Sequence, residues 1–269
     1  LALVKKQEVI EDEAPEIRST EIKLGQKYKL GNHTLVCGDA TNKEHIDYLI
    51  KDNVIDMVFT DPPYGMFLNA DFSDMKTNLE MLKSTGAPKS GGKYRQVIGD
   101  NDDFKPELIT TIFDNLDCKE IFIWGFDYFA EYIVNRNNGS VFVWDKRLDE
   151  QADKMYGSCF ELCWSKAKHK RNIVRIKWAG IFGTEKEFDK KRHHPTQKPI
   201  KLSSWFIDNY SKEKQNIVDI YGGSGSTLIA CEQLERNCFM LELDPEYCQV
   251  IIDRWQNLTG QKAELIESI

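Results

Sequence analysis

A chain of 269 residues, 41% hydrophobic and 29% charged, holds enough apolar material for one large α/β domain or two small ones. It has no unbroken apolar stretch of about eighteen residues, which excludes an apolar membrane-spanning helix, and its first residues, "LALVKKQEVIEDEAPEI", lack the apolar core of a secretory signal. The net charge of −7 argues against a nucleic-acid partner only as an average: Lys166 to Lys201 hold twelve Lys or Arg against three acids, while the first twenty-one residues hold six acids.

Taken in chain order, residues 1–24 read as a polar, poorly ordered leader, followed by a single domain over 25–269. "YKLGNHTLVCGDAT" predicts a hairpin turning at Gly31-Asn32, and a short helix follows over Asn42 to Ile50. "VIDMVF", Val54 to Phe59, is a compact apolar run of the kind that forms a buried parallel strand. It runs into "TDPPYG". Prolines cannot supply ladder hydrogen bonds, so the strand ends there. Asp61 and its neighbours therefore fall in a loop at a strand's carboxyl end, where open α/β sheets bind ligands.

Residues 65–103 predict a long loop with a short helix near Thr77 to Lys83. "EIFIWG", "SVFVWDK" and "CFELCWSK" predict three more strands, with an amphipathic stretch, "FDYFAEYIVNRNN", between the first two. A basic segment leads to "IKLSSWFIDNY", whose helical spacing puts Leu202, Trp205, Phe206 and Tyr210 on one side. The C-terminal part reads strand, glycine turn, helix, strand, helix. The last helix has Asp244 as cap, Pro245 at its first position, Gly260 past its end, and an apolar face of Tyr247, Ile251, Trp255 and Leu258. There is no internal repeat. The seven cysteines are scattered and include no CxxC pair, so they read as buried reduced thiols of a cytoplasmic protein, and no zinc or other metal site is expected.

Two groups of residues carry chemistry. In "VDIYGGSGST", glycines at 222, 223 and 225 follow a strand and precede a helix near Ser226, which lets the backbone approach a ligand closely. The next strand, "CFMLEL", brings Glu242, an acid placed to accept hydrogen bonds from ribose hydroxyls. The unit fits an adenosine-containing cofactor, although the GGxG spacing differs from the dinucleotide fingerprint and glycine turns are also plain structural turns. The second group is Asp61-Pro62-Pro63-Tyr64. A carboxylate there serves as a metal ligand, a general base or a hydrogen-bond acceptor. The prolines fix φ and remove two N–H donors, leaving carbonyls to face a pocket, and Tyr64 adds a flat stacking face. An acceptor-rich slot under an aromatic plate suits a planar ring bearing an NH2 group. Acceptors on that amine pull its nitrogen toward a tetrahedral shape, freeing the lone pair for an electrophilic methyl group. Taken alone, a D-P-P sequence is also a common rigid turn.

These residues resemble the amino-group DNA methyltransferases of the N6-adenine/N4-cytosine class in the β arrangement, where the catalytic motif precedes the cofactor motif. Asp61 to Tyr64 match the catalytic D-P-P-Y, Asp219 to Gly225 match D-P-F-x-G-S-G, His194 to Pro199 match H-P-T-Q-K-P, and Gly38 to Ala40 match the N-terminal G-D element. Ile220 and Tyr221 depart from the family's Pro and Phe. The resemblance covers residues 28 to 260 and implies S-adenosylmethionine as methyl donor and a Rossmann-like seven-stranded sheet flanked by helices. It implies that Asp39 and Ala40 meet the adenine end of the cofactor and Glu242 its ribose. Asp219, Tyr221, Gly223, Ser224, Gly225 and Ser226 would line the methionine end, with Lys198 approaching the carboxylate. Asp61 favours adenine N6 over cytosine N4, where Ser is commoner. The overall pattern is similar to methylases of phage and prophage origin.

To reach such a slot a base must leave duplex DNA, at a cost of a few kcal/mol. The basic segment supplies the candidate phosphate contacts: Lys166, Lys168, Lys170, Arg171, Arg175, Lys177, Lys190, Lys191 and Arg192. Residues 147–193 and the loop at 66–103 are the candidate target readers, both short, which suits a compact or homodimeric enzyme. The competing readings are cytosine-N4 transfer, an RNA or protein amide substrate, a catalytically idle nucleic-acid-binding partner of the same fold, and an NAD-dependent dehydrogenase, for which the glycine spacing is wrong.

Overall fold

The computed structural model describes residues 14–63, 107–147, 158–176 and 198–269. Its strands are β1 (Gln26–Leu30), β2 (His33–Cys37), β3 (Met57–Thr60), β4 (Glu120–Trp124), β5 (Ser140–Asp145), β6 (Phe160–Ser165), β7 (Asn172–Arg175), β8 (Asn216–Asp219), β9 (Asn237–Glu242) and β10 (Glu264–Ser268). Its helices are α1 (Lys43–Ile50), α2 (Glu107–Asn115), α3 (Phe126–Phe129), α4 (Ile200–Tyr210), α5 (Ser226–Gln233) and α6 (Pro245–Thr259).

All ten described strands join one sheet in the order β10-β1-β2-β9-β8-β3-β4-β6-β5-β7. The expected seven-stranded core is the stretch from β2 to β5. Within it β2, β9, β8, β3 and β4 are parallel neighbours, and β6 runs antiparallel between β4 and β5. The count exceeds seven because β1 and β10 extend one side and β7 the other. Neither β7 nor β10 is evident in the sequence. Both lie at sheet edges and are mostly exposed, so they lack the apolar alternation that marks a half-buried strand.

The central strands read as continuous apolar runs because both faces are covered. On one face Phe59, Phe122, Trp124, Phe142 and Trp144 pack with Leu202 and Phe206 of α4, Leu228 of α5 and Trp255 of α6. On the other, Val58, Ile121, Ile123 and Val218 pack with Ile46 of α1 and Ile109 and Ile112 of α2. Phe206 is the hub of the first face, with ring contacts to Phe59, Phe122, Trp124 and Phe142 at 5.3–5.5 Å. Each of these rings removes a large apolar area from water, and the edge-to-face contacts add about 0.5–1.5 kcal/mol apiece.

Capping follows the sequence. Asn42 accepts the Glu44 N–H at the start of α1, Asp244 accepts the Glu246 N–H at the start of α6, and Gly260 closes α6 in the left-handed conformation. The buried His33 also has a structural task. The Cys238 N–H donates to its Nδ1 at 3.0 Å, so Nε2 carries the proton and donates to Glu232 at 2.8 Å. Glu232 accepts the Trp255 indole N–H as well, locking β2, α5 and α6 together.

Two expectations need adjusting. The leader is tied down from residue 18: Arg18 makes a two-point contact with Asp253 at 2.7–2.8 Å, Thr20 bonds Gln249, and Ile22 is buried. The strand expected from Val54 begins at Met57, and Val54 is exposed, because Asp56 turns the chain by accepting the N–H groups of Gln215 and Asn216. The expected loop and helix over 65–103 lie outside the described residues.

Candidate active site

The chain leaves β8 through α5 to reach β9 on one side, and it leaves β3 for β4 on the other. The order of connection therefore reverses between β8 and β3, and such a reversal opens a crevice at the carboxyl ends of the strands. Asp219 closes β8, Glu242 closes β9, Asp39 follows β2 and Asp61 follows β3. Four acids widely separated in sequence thus share one edge of the sheet.

Asp219 is the strut of this edge. Its carboxylate accepts the hydroxyls of Thr60 at 2.8 Å and Thr227 at 2.7 Å and the Tyr221 N–H at 3.1 Å, so it joins the end of β3 to the glycine turn. It is buried, with two donors on Oδ1 and one on Oδ2, and it braces the glycine turn expected to line the methionine end of a cofactor. Burial pushes its carboxyl up to about 7 against the pull of those three hydrogen bonds.

The turn itself requires glycine. Gly223 and Gly225 have φ of +51° and +82°. The Gly223 N–H donates to Glu242 at 2.7 Å, and the Asp244 N–H donates to the other Glu242 oxygen at 2.8 Å. Burial raises the Glu242 carboxyl to about 7 despite these two donors. Each Glu242 oxygen retains a further lone pair, which suits paired hydroxyl donors such as those of a ribose. Gly225 has no side chain to cap α5, so the first-turn N–H groups of that helix are left to other acceptors, which favours an anionic group. From below, the buried Arg254 donates to the Ser224 carbonyl at 2.9 Å and holds the loop against α6.

Asp39 is half-buried; its Oδ1 accepts the Thr41 N–H and hydroxyl, and its own N–H donates to His45 at 2.8 Å. Gly38 donates to the Glu242 carbonyl, which brings Asp39 and Ala40 beside the end of β9. The Tyr221 hydroxyl donates to the Leu108 carbonyl at 2.8 Å, turning its ring along α2.

Lys198, expected to approach the carboxylate of the cofactor, pairs with two carboxylates of the protein, an arrangement the sequence did not suggest. Its ammonium sits on the Asp61 carboxylate and 3.3 Å from Glu161 on β6, over the face of Trp124 at 5.3 Å. Glu161 is held on its other side by Lys146, just past β5. The carboxyl edge thus carries a continuous alternation of charge, Asp61–Lys198–Glu161–Lys146. Burial alone lowers the Lys198 ammonium, but Asp61 and Glu161 more than reverse this and hold it above its ordinary value. The Ser226 hydroxyl donates to the Lys198 carbonyl at 2.9 Å, which ties the cofactor-type loop to the lysine's backbone.

The predicted site residues Asp39, Ala40, Asp61, Pro62, Pro63, Lys198, Asp219, Tyr221, Gly223, Ser224, Gly225, Ser226 and Glu242 fall at this one edge. Tyr64, Lys177, Lys190, Lys191, Arg192 and the start of the H-P-T-Q-K-P block lie outside the described residues. The described part of the basic segment, Lys166 to Arg175, divides between the two edges of the sheet. Because β6 runs antiparallel to β4, it starts at the Asp61 edge and ends at the far one. Lys166, Lys168, Lys170 and Arg171 follow its end, across a strand of about 17 Å. Lys166 bonds the Cys118 carbonyl before β4, and Lys168 that of Asn137 before β5. Arg175 alone among the described candidates is on the Asp61 edge, because β7 runs back parallel to β5 and pairs Arg175 with Asp145. Arg147, bonded to Asp145 at 2.9 Å, joins it there.

All seven cysteines are free, and burial pushes the thiols of Cys118, Cys163, Cys238 and Cys248 up, which makes them poor nucleophiles. Among the described residues no cluster of three His, Cys, Asp or Glu side chains could hold a metal, and no helix is long and apolar enough to cross a membrane.

A model of the DNA methylase family, the N6/N4 class, matches residues 90–253. The chain belongs to this family. Membership brings S-adenosylmethionine as methyl donor and DNA as substrate. The type II methyltransferase M2.MboI of Moraxella bovis is 25% identical over 241 residues, 80% of this chain and 86% of that one. The type II methyltransferase M.HindIII of Haemophilus influenzae is 34% identical over 64 residues, 24% of this chain and 21% of its own. The solved PvuII DNA methyltransferase, described as cytosine-N4-specific, shares the fold with a TM-score of 0.54 at 16% identity, covering 89% of this chain and 98% of that one. The family match starts after residue 64, so the placement of Asp61, Pro62 and Pro63 at the end of β3, which Thr60 ties through Asp219 to the glycine turn, is an independent structural observation.

Proposed function

We propose that this methylase transfers a methyl group to the exocyclic N6 of an adenine turned out of duplex DNA. The observation that carries the reading is the Asp61 carboxylate at the end of β3, in the crevice it shares with the glycine turn and Glu242. By the family resemblance, an aspartate at this position goes with adenine N6, and serine is commoner in the cytosine enzymes. S-adenosylmethionine supplies an electrophilic methyl group on a sulfonium.

The residues of the chain do the rest. Asp61 Oδ and a neighbouring carbonyl accept the two N–H groups of the amine, which draws its lone pair out of conjugation with the ring. Pro62 and Pro63 remove competing donors and stiffen the slot. The same fixed acceptors stabilise the positive charge that grows on nitrogen; as the N–C bond forms the S–C bond breaks to leave a neutral thioether, and the surplus amine proton passes by way of Asp61 to solvent. Glu242 binds the ribose hydroxyls, the uncapped start of α5 and the Gly223–Ser226 backbone meet the amino-acid end, and Asp39 faces the adenine end. No covalent enzyme intermediate is needed, which agrees with thiols kept protonated by burial. On the DNA side, Arg147 and Arg175 are suited to phosphate contacts that hold the duplex while one base is extruded.

The test is transfer of labelled methyl groups to unmethylated DNA, followed by digestion and mass identification of the nucleoside. N6-methyladenine is the expected product. N4-methylcytosine overturns the base assignment, and label appearing only in RNA or protein overturns the DNA reading.

A further inference from the structure

Lys198 poses a problem for the reaction just described. Its side chain is 11% exposed and its ammonium is bound to the group that must receive the substrate amine. When Asp61 turns its lone pairs to an N–H donor, a buried cation loses part of its compensation, and an uncompensated buried charge is strongly unfavourable. Glu161 is already within 3.3 Å of the same ammonium and comes from a different strand. Burial pushes the Glu161 carboxyl up, but Lys198 and Lys146 more than offset this, so it stays ionised below its ordinary range.

We propose that Glu161 is a positioning residue for amino-group transfer, a second anionic seat onto which the Lys198 ammonium shifts when Asp61 takes hold of the target amine. The proposal rests on the adenine-amine reading of Asp61. In the ligand-free protein Lys198 screens the Asp61 carboxylate. On substrate entry its charge moves a short way along the face of Trp124 to Glu161, whose own charge Lys146 secures. Asp61 then turns its acceptor oxygens toward the target amine, and the shift itself moves no proton. Among the described residues, the groups facing Lys198 are Asp61 from the end of β3 and Glu161 and Cys163 from β6. Lys146 lies behind Glu161, Asp219 behind Asp61, and Tyr128 of α3 beside Glu161.

The experiment compares the unaltered enzyme with E161Q, which keeps the shape and loses the charge. In E161Q, kcat is expected to fall about tenfold to a hundredfold, the scale of a misplaced reacting group, while half-saturation by S-adenosylmethionine changes by less than about threefold. The alkaline limb of the kcat/KM profile moves to lower pH, because in the free enzyme Lys198 retains one carboxylate instead of two. E161D restores part of both. An E161Q enzyme with unaltered kcat and an unmoved limb overturns the proposal. K146M tests the network from its other end: Glu161 then protonates at higher pH and the acid limb of kcat moves up, whereas an unmoved limb counts against the relay. Carbon-13 NMR of labelled lysine in ligand-free protein reads the same charges without turnover. The Lys198 titration falls in E161Q, and an identical titration refutes the arrangement. If the unaltered protein methylates no DNA, it is the functional reading that fails; if it does and E161Q keeps pace, only the role of Glu161 fails.

Discussion

At one edge of the sheet, Asp219 is buried, Asp61, Glu242 and Glu161 are half-buried, and each is held by a specific donor. At the opposite edge, Lys166, Lys168, Lys170 and Arg171 stand exposed, two of them resting on backbone carbonyls. Burial is what separates the two edges. A carboxylate taken out of water must be compensated, so its geometry becomes fixed and its acidity shifts. An exposed lysine keeps its solvent shell and contributes little to stability or position. The first edge is therefore where single substitutions act on chemistry, and the second is where they act weakly.

The strongest break of this contrast is at Asp61. Asp61→Ala is expected to lower kcat by about 10²–10³-fold, the usual loss for one preorganised electrostatic group. Cofactor binding measured by calorimetry should persist, because Glu242 and the glycine turn are untouched. Loss of cofactor binding together with activity would instead make Asp61 a cofactor ligand.

A second comparison sets Arg147→Ala/Arg175→Ala against Lys170→Ala/Arg171→Ala in DNA binding. The first pair, at the Asp61 edge, should weaken binding and reduce the slope of log affinity against log salt by about one for each lost phosphate contact. The second pair should leave the slope unchanged. A larger change from Lys170 and Arg171 would place DNA on the far edge and contradict the topology-based assignment.

Gly225→Ala probes the turn. With φ at +82° and an added Cβ 3.0 Å from Ile251, it should destabilise the protein by about 1–3 kcal/mol and weaken cofactor binding, read by thermal melting with and without S-adenosylmethionine. A melt matching the unaltered protein would show that the loop tolerates a side chain here.

The smallest effect is on pH dependence. Glu242 ionises near pH 7 in the folded protein against an ordinary value of 4.5. A carboxyl raised on folding contributes stability that is fully present below about pH 4.5 and is lost as pH rises through about 7. The charged form is the better acceptor for ribose hydroxyls, so cofactor affinity should rise across that same window. In Glu242→Gln both slopes should flatten. A cofactor affinity that falls through pH 7 would place the ribose elsewhere.

The legibility of the sequence differs between the same two edges. β3, β4, β8 and β9 are evident because both their faces are buried and nearly every residue is apolar. Asp61 and Glu242 follow directly, since a polar residue ending such a run must sit at the strand's end. Glu161 was hidden for the opposite reason. It is one acid inside "CFELCW", and its partner Lys198 is thirty-seven positions away, joined to it only through the antiparallel insertion of β6. The same insertion explains the basic segment. Lys168 to Arg175 are contiguous in sequence, but β7 carries the chain back across the sheet, so a cluster on paper is two separated groups in space. Charge patterns record composition along the chain, whereas the direction of an edge strand depends on pairing that no local pattern encodes.

The most direct test of the central claim is a structure of the protein with a non-reactive cofactor analogue and a duplex containing its target. The account predicts an adenine turned out of the helix, with its N6 within about 3 Å of an Asp61 oxygen and the Lys198 ammonium displaced toward Glu161. A bound base whose amino group lies away from Asp61, with that carboxylate still closed on Lys198, would contradict it.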